Sequence, residues 1–383
     1  MSLVIDIHAL QSLPPSNINR DDTGAPKSAI FGGVPRQRVS SQSWKRAMRK
    51  AFESELGQEN VGYRTKRVVG LVATRVQELA ESTGGPWDRD RAEAAAVALF
   101  KAAGIDVKEP KAKARDSEAE RAESREAETG YLLFLSDRQI QAAAEYVLEH
   151  EGEKPEKKAV KELLDSSHSI DIAMFGRMVA DDAAYNVDAA VQVAHALGIH
   201  GSAPEFDYFT AVDDVVEDAE EAGAGMIGTV QMMSSTLYRF ATVDVQSLVK
   251  NLGDAAAATS AIAAFLRAFV TSLPSGKQNT FAANTLPELV YVTVRDGRSV
   301  SLVNAFETAI PTDVDKGRRR EGAERLAAEA REIREAYDLT PRAAFVTGLG
   351  DLTEPFSDLA EKVSLKGLVD KVTTAVDSEG DPR

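Results

Sequence analysis

The chain has 383 residues, 43% of them hydrophobic and 27% charged, and its 60 acids against 45 bases leave a formal charge of −15. It has no cysteine, which excludes disulfides, thiolate metal sites and cysteine nucleophiles and fits a reducing cytoplasm. No apolar run approaches the ~20 residues of a membrane span and the N-terminus has no signal-peptide layout, so a globular cytoplasmic protein is expected, of one large core or two to three units.

The opening LVIDIHALQSL alternates, with Leu3, Ile5, Ile7 and Ala9 on one face and Asp6 and His8 on the other. That pattern reads as a strand covered on one side, with His8 on the exposed face. A long loop, PPSNINRDDTGAPK, follows and holds Arg20 and Lys27. Next comes VPRQRVSSQSWKRAMRK, where Arg36, Arg38, Lys45, Arg46, Arg49 and Lys50 occur between Pro35 and Lys50 without an acid. In so acidic a chain this reversal of sign asks for an anionic partner. Trp44, Ala47, Met48, Ala51, Phe52 and Leu56 make one helical stripe; Lys45 and Arg49 flank it, and Arg46 and Lys50 point more nearly away. Ser40, Ser41 and Ser43 are the available N-caps, so free amides, hydroxyls and Lys45 can seat a phosphate at the helix start. Arg36 and Arg38 share a face of the preceding strand and can extend that seat. On charge alone, a solvated amphipathic helix docked on a core reads equally well.

Further helical patterns run through Val68–Leu79, Ala94–Phe100 and Leu132–Leu148, and look like an inserted helical unit. Between the second and third, residues 108–129 mix six bases with seven acids and read as a solvated helix or a disordered loop. Lys154, Lys157, Lys158 and Lys161 form a second basic cluster, interleaved with Glu153 and Glu156, whose default is a solvated helix face. SIDIAMFGRMV, from Ser169, reads as a strand, and Asp188 caps a helical run VDAAVQVAHAL. PEFDYFTAVDDVV is an extended excursion or hairpin, and Met226–Val243 a long β pattern expected as a strand pair. A buried helix, AATSAIAAFLRAFVTSL, ends at Pro274 before the loop SGKQNT. ELVYVTVR is another strand, Asp313–Glu335 an exposed loop and helix, AAFVTGLG a last strand, and the tail from Asp377 is expected to be disordered. Strands from both ends with helices between them fit one α+β core with a large helical insertion.

Catalytic signatures are lacking. His8, His150, His168, His195 and His200 show no metal-ligand spacing, and the glycine-rich Phe31-Gly32-Gly33 and Gly223-Ala224-Gly225 match no nucleotide fingerprint. Neither a metal nor a cofactor is expected.

IDIH, SNINRDD, AIFGGVPRQRVSSQSWKRAMRK, DIAMFGRM, FDYFTAVDD, YRFATVD and GKQNTFAA occur in this order across most of the chain. Carrying them, the chain resembles the CasC-type backbone subunit of the type I-E CRISPR complex Cascade, in the RAMP superfamily. The resemblance implies an α+β fold: an RNA-recognition-motif-like (ferredoxin-like) palm of residues 1–58, 170–200 and 224–383, a helical fingers insertion of 59–169 and a thumb hairpin of 201–223. It implies a non-catalytic, guide-RNA (crRNA)-binding subunit that assembles head to tail along the spacer. Each thumb kinks the guide, and the bases between are presented to target DNA in antiviral defence. The implied partners are the guide RNA, target DNA, further copies of the chain and other Cascade subunits, with no membrane.

By motif, Arg20, Lys27, Arg38, Ser40, Gln42, Lys45, Arg46 and Arg49 fall where the family holds guide phosphates. Met178, Phe209 and Thr210 fall where it wedges around the displaced base, although on pattern alone Phe209 reads as a core aromatic and Met178 as a strand residue. Lys154, Lys157, Lys158 and Lys161 lie in a region that, in the family, helps to guide duplex DNA. The alternative is a guide-RNA-processing endoribonuclease of the same superfamily, with His8 as its candidate base.

Overall fold

The computed structural model of the chain describes residues 2–83, 85, 87–108, 127–179, 183–211 and 226–377. Positions 109–126 of the charged segment, 212–223 of the expected thumb and the tail beyond 377 lie outside them. The strands, in chain order, are β1 (Leu3–Ser16), β2 (Ser28–Phe31), β3 (Val34–Val39), β4 (Gly62–Thr65), β5 (Val107–Lys108), β6 (Glu128–Thr129), β7 (Leu133–Ser136), β8 (Val191–Val193), β9 (Ala196–Gly198), β10 (Glu205–Ala211), β11 (Met226–Asp244), β12 (Leu289–Asp296), β13 (Ala343–Gly348) and β14 (Glu361–Lys362). The basic helix is α1 (Ser41–Leu56). The fold is α+β, and the chain divides into two compact units: Met1–Ala51, Gln192–Val245 and Phe265–Arg383 in one, Phe52–Val191 and Gln246–Ala264 in the other.

The first unit is built on a sheet in the order β14-β13-β12-β1-β11-β9-β3-β2, with β10 paired to the first half of β11. β1 is central, antiparallel to β11 from Val4–Asp244 to Leu13–Ser235 and to β12 from Leu3–Asp296 to Leu10–Leu289. The expected pair over Met226–Val243 is one continuous strand, long enough to serve β10 with one half and β1 and β9 with the other.

β1 is buried on both faces, so His8 is interior and not exposed as its alternation suggests. Aromatic residues from distant strands and the helix Gly317–Tyr337 cover the second face, through a cluster that includes Tyr238, Tyr291, Phe306, Leu326 and Phe356. The polar groups there are paired through one atom each, while His8 Nε2 and Asp6 Oδ1 have no hydrogen-bond partner among the described residues. His8 Nδ1 lies 2.9 Å from the Tyr238 hydroxyl, and Asp6 Oδ2 pairs with Arg295 Nε at 3.1 Å and accepts from Val300 N at 2.9 Å. Burial, with the Arg295 charge adding to it, pushes the His8 imidazole down to about 3. Burial also pushes the Asp6 carboxyl up to about 6, against the Val300 amide, Thr242 and Arg295.

The second unit gathers the helices Val68–Thr83, Arg89–Ala102, Asp137–Glu149 and Lys157–Leu164 around Val72, Val76, Leu99, Phe100, Ile140 and Val147. Ser136 and Gln139 close a capping box at the start of Asp137–Glu149. Two local expectations are overturned. SIDIAMF is a helix, Ile170–Phe175, because Asp171 Oδ1 gathers Gly62 N, Ser169 Oγ and Ile172 N at its start, and Gly176 at φ +79° ends it. In VDAAVQVAHAL the segment splits into β8 and β9, since pairing of Leu197 on both sides, with Tyr238 of β11 and Arg38 of β3, outweighs an alanine-rich helical period.

Candidate nucleic-acid interface

α1 presents three stripes, as its 3.6-residue period requires. Trp44 and Met48 are buried, and Phe52 continues their line. The Arg239 guanidinium lies 3.7 Å from the Trp44 ring and 4.3 Å from the Phe269 ring, and it donates to Gln11 Oε1 at 2.7 Å. Thus β11 holds the helix by a buried cation–π sandwich, and burial pulls the Arg239 pKa down to about 9. A second stripe carries exposed Gln42 and half-buried Lys45 and Arg49; partial burial lowers the Lys45 ammonium below its ordinary range. Ser43, Arg46, Ala47 and Lys50 form the third stripe and face an open cleft of about 870 Å³.

The SNINRDD loop is fixed to the helix start. Ser40 N donates to Asn19 Oδ1 at 2.8 Å, and the Ser40 carbonyl accepts from Ser43 N and Trp44 N at 3.0 and 3.2 Å. Asp21 Oδ1 closes its own turn on Thr23 N, Thr23 Oγ1 and Ala25 N, and Lys27 N returns to the Asn19 carbonyl at 3.0 Å. The loop therefore presents Arg20 to the cleft from a folded turn.

The far wall is Leu273–Gln278, which adds Lys277. A Cβ at Gly276 would stand 2.3 Å from the Ile18 carbonyl oxygen, so only glycine lets the two loops meet. Arg20, Arg46, Lys50 and Lys277 surround the cleft against the carboxylates of Asp21 and Asp22. Lys277 escapes a reading by periodicity because it stands in a polar loop; the only signal was the GKQNT motif itself.

On β3 the two arginines part. Arg36 is buried and donates to the carbonyls of Gly198, Phe306 and Glu307 at 3.0–3.2 Å, so it does not extend the anion seat. Arg38 remains partly exposed, with its backbone N on the Lys27 carbonyl at 2.9 Å and Nη1 3.0 Å from His195 Nδ1.

The β10–β11 ladder places Phe209 opposite Gly228, where an added Cβ would stand 2.2 Å from the Phe209 ring. Phe209 is 40% exposed, so it lies over the strand and is not a core aromatic. Thr210 is exposed and, by strand alternation, faces the other way together with Phe206 and Tyr208, which are 67% and 75% exposed. Alternation through the FDYFT segment could have found these two aromatics.

In the second unit Met178 is 83% exposed, directly after a buried Arg177 that donates to Tyr185 O and Leu164 O. Lys154, Lys157 and Lys158 are exposed, Lys158 lies 3.9 Å from Glu162, and Lys161 sits 5.6 Å from the Tyr185 ring.

Among the described residues no group of His, Asp and Glu could hold a metal ion, and no helix is long and apolar enough to cross a membrane. Fold and cleft together define an α+β protein with a cationic surface groove. Over residues 5–371 the chain matches the CT1975-like protein family, and it belongs to that family. It is similar to a chain of a solved "CRISPR RNA-guided surveillance complex, pre-nicking", at 36% identity and TM-score 0.81 over 97% of this chain and 100% of that one. A chain of a second structure, "CRISPR RNA-guided surveillance complex", is 32% identical at TM-score 0.74, over 97% and 99% of the two. No curated protein matches by sequence.

Proposed function

We propose that this chain is the CasC-type backbone subunit of a type I-E Cascade, a non-catalytic protein that grips guide RNA by its phosphates and repeats head to tail along it. The coarser part, a Cascade-type CRISPR subunit, rests on the family and on the two surveillance-complex chains. The observation that carries the finer reading is the pair of cationic stripes on α1, one opening on a cleft walled by Arg20 and Lys277, in a protein of net charge −15. Such a surface suits backbone contacts that ignore base identity. Phe209, Thr210 and Met178 are the residues that wedge a displaced base. Target DNA is met through guide pairing and through Lys154, Lys157, Lys158 and Lys161. Other Cascade subunits and further copies of the chain complete the assembly in the cytoplasm.

A cleavage role needs a base within reach of a 2′-hydroxyl. His8 is enclosed by Tyr238, Phe240 and Tyr291, and burial keeps its ring neutral down to about 3, which supports the non-catalytic reading. The test is chemical probing of guide bases in the assembled complex, with precursor repeat RNA as a parallel substrate. Regularly spaced reactive bases that lose their pattern in Phe209→Ala are expected. A pattern indifferent to Phe209, or scission of the repeat that depends on His8, would overturn the proposal.

A further inference from the structure

His195, between β8 and β9, belongs to no core. It is exposed, and its Nδ1 lies 3.0 Å from Arg38 Nη1. A guanidinium only donates, so Nδ1 is the accepting nitrogen, and the free ring is neutral with its proton on Nε2. Arg38 is tied to the loop before β2 through the Lys27 carbonyl and lies 3.4 Å, by Nε, from the Ser28 carbonyl. Three basic side chains thus converge where β3, β9 and that loop meet.

Partial burial first, and then the charges of Arg38 and Lys27 that bear on the ring, hold the imidazole below its ordinary range. On β11, which pairs with β9, Tyr238 stands opposite Leu197 and the Phe240 carbonyl accepts from Ala194 N. Between them Arg239 turns into the core against Trp44 and Phe269.

Resting on the RNA-binding reading above, we propose that His195 is a proton-coupled phosphate ligand, which joins Arg38 and Lys27 on one guide phosphate as an imidazolium. A phosphate oxygen that accepts from Arg38 Nη1 takes that donor away from Nδ1. One proton from solvent then fills Nδ1 and converts the ring from a competing acceptor into a second donor. No bond to phosphorus forms or breaks. The phosphate charge offsets the burial and the repulsion that together keep the free ring neutral, so binding takes up a proton and affinity rises as pH falls.

The test is calorimetric titration of the full chain with single-stranded RNA, in two buffers of different ionisation heat, with affinities at about pH 6 and about pH 8 at fixed ionic strength. Net proton uptake is expected, with binding ~3- to 10-fold tighter at the lower pH. In His195→Ala and His195→Gln both the proton uptake and the pH slope shrink. Uptake and pH slope unchanged in both variants would overturn the proposal while leaving RNA binding intact. Absence of RNA binding at either pH would instead remove the reading on which it rests, and the proposal with it.

Discussion

Arg36 and Arg38 stand two positions apart on β3, yet one is enclosed by backbone carbonyls and the other meets solvent beside Lys27 and His195. The same division runs through the sheet unit. Inside, Arg36, Arg239 and the Asp6–Arg295 pair hold strands and α1 in place. Outside, Arg20, Arg46, Lys50 and Lys277 surround a cleft and are available to a ligand. Positive charge is therefore of two kinds here, and only the second should register in RNA affinity.

Arg36→Ala should separate the two kinds most sharply. It leaves three carbonyls without their donor and is expected to cost about 3 kcal/mol or more, whereas Arg38→Ala stays within about 0.5 kcal/mol. Urea midpoints of the two variants check this, and equal midpoints would break the distinction.

The buried His8 and Asp6 also predict a pH signature. Unfolded His8 takes up a proton near its ordinary pKa of 6.5, while the folded residue resists until about 3, so this group subtracts stability as pH falls through that window. Asp6 acts oppositely, because its folded carboxyl keeps a proton up to about 6 while the unfolded one releases it near 3.8; that contribution is lost as pH rises through the interval. His8→Phe should remove an acid-side slope that approaches ~1.4 kcal/mol per pH unit, measured as the difference between variant and parent. A difference constant with pH would contradict the buried neutral ring.

Much of this was legible in the sequence. Trp44, Met48 and Phe52 announce the buried side of α1 because a helix must repeat every 3.6 residues, and the four cations Lys45, Arg46, Arg49 and Lys50 mark its outer sides. Other features depend on distant partners and were not. Asp6 and His8 look like solvent-facing positions until Tyr238, Tyr291 and Arg295 arrive from far along the chain. Arg36 looks equivalent to Arg38 until Phe306 and Glu307 offer their carbonyls. The wall carrying Lys277 exists only because Gly276 can touch Ile18. Ile170–Phe175 is too short for a period to decide between helix and strand.

Among surface variants, Arg46→Ala combined with Lys50→Ala should weaken RNA binding ~10- to 30-fold at moderate salt with little change in melting temperature. Lys157→Ala combined with Lys158→Ala should change RNA affinity by less than ~3-fold, since Lys158 has Glu162 near it and the cluster is interleaved with acids. A larger loss from the second pair than from the first would reverse the assignment of the RNA face.

The central claim, that α1 and its cleft hold RNA by phosphate alone, is tested most directly by the salt dependence of binding to two single-stranded RNAs of unrelated sequence. The logarithmic slope should be the same for both and become shallower by about 0.7 for each of Lys45, Arg46, Arg49 and Lys50 replaced by alanine. An unchanged slope, or a loss confined to one of the two sequences, would contradict it.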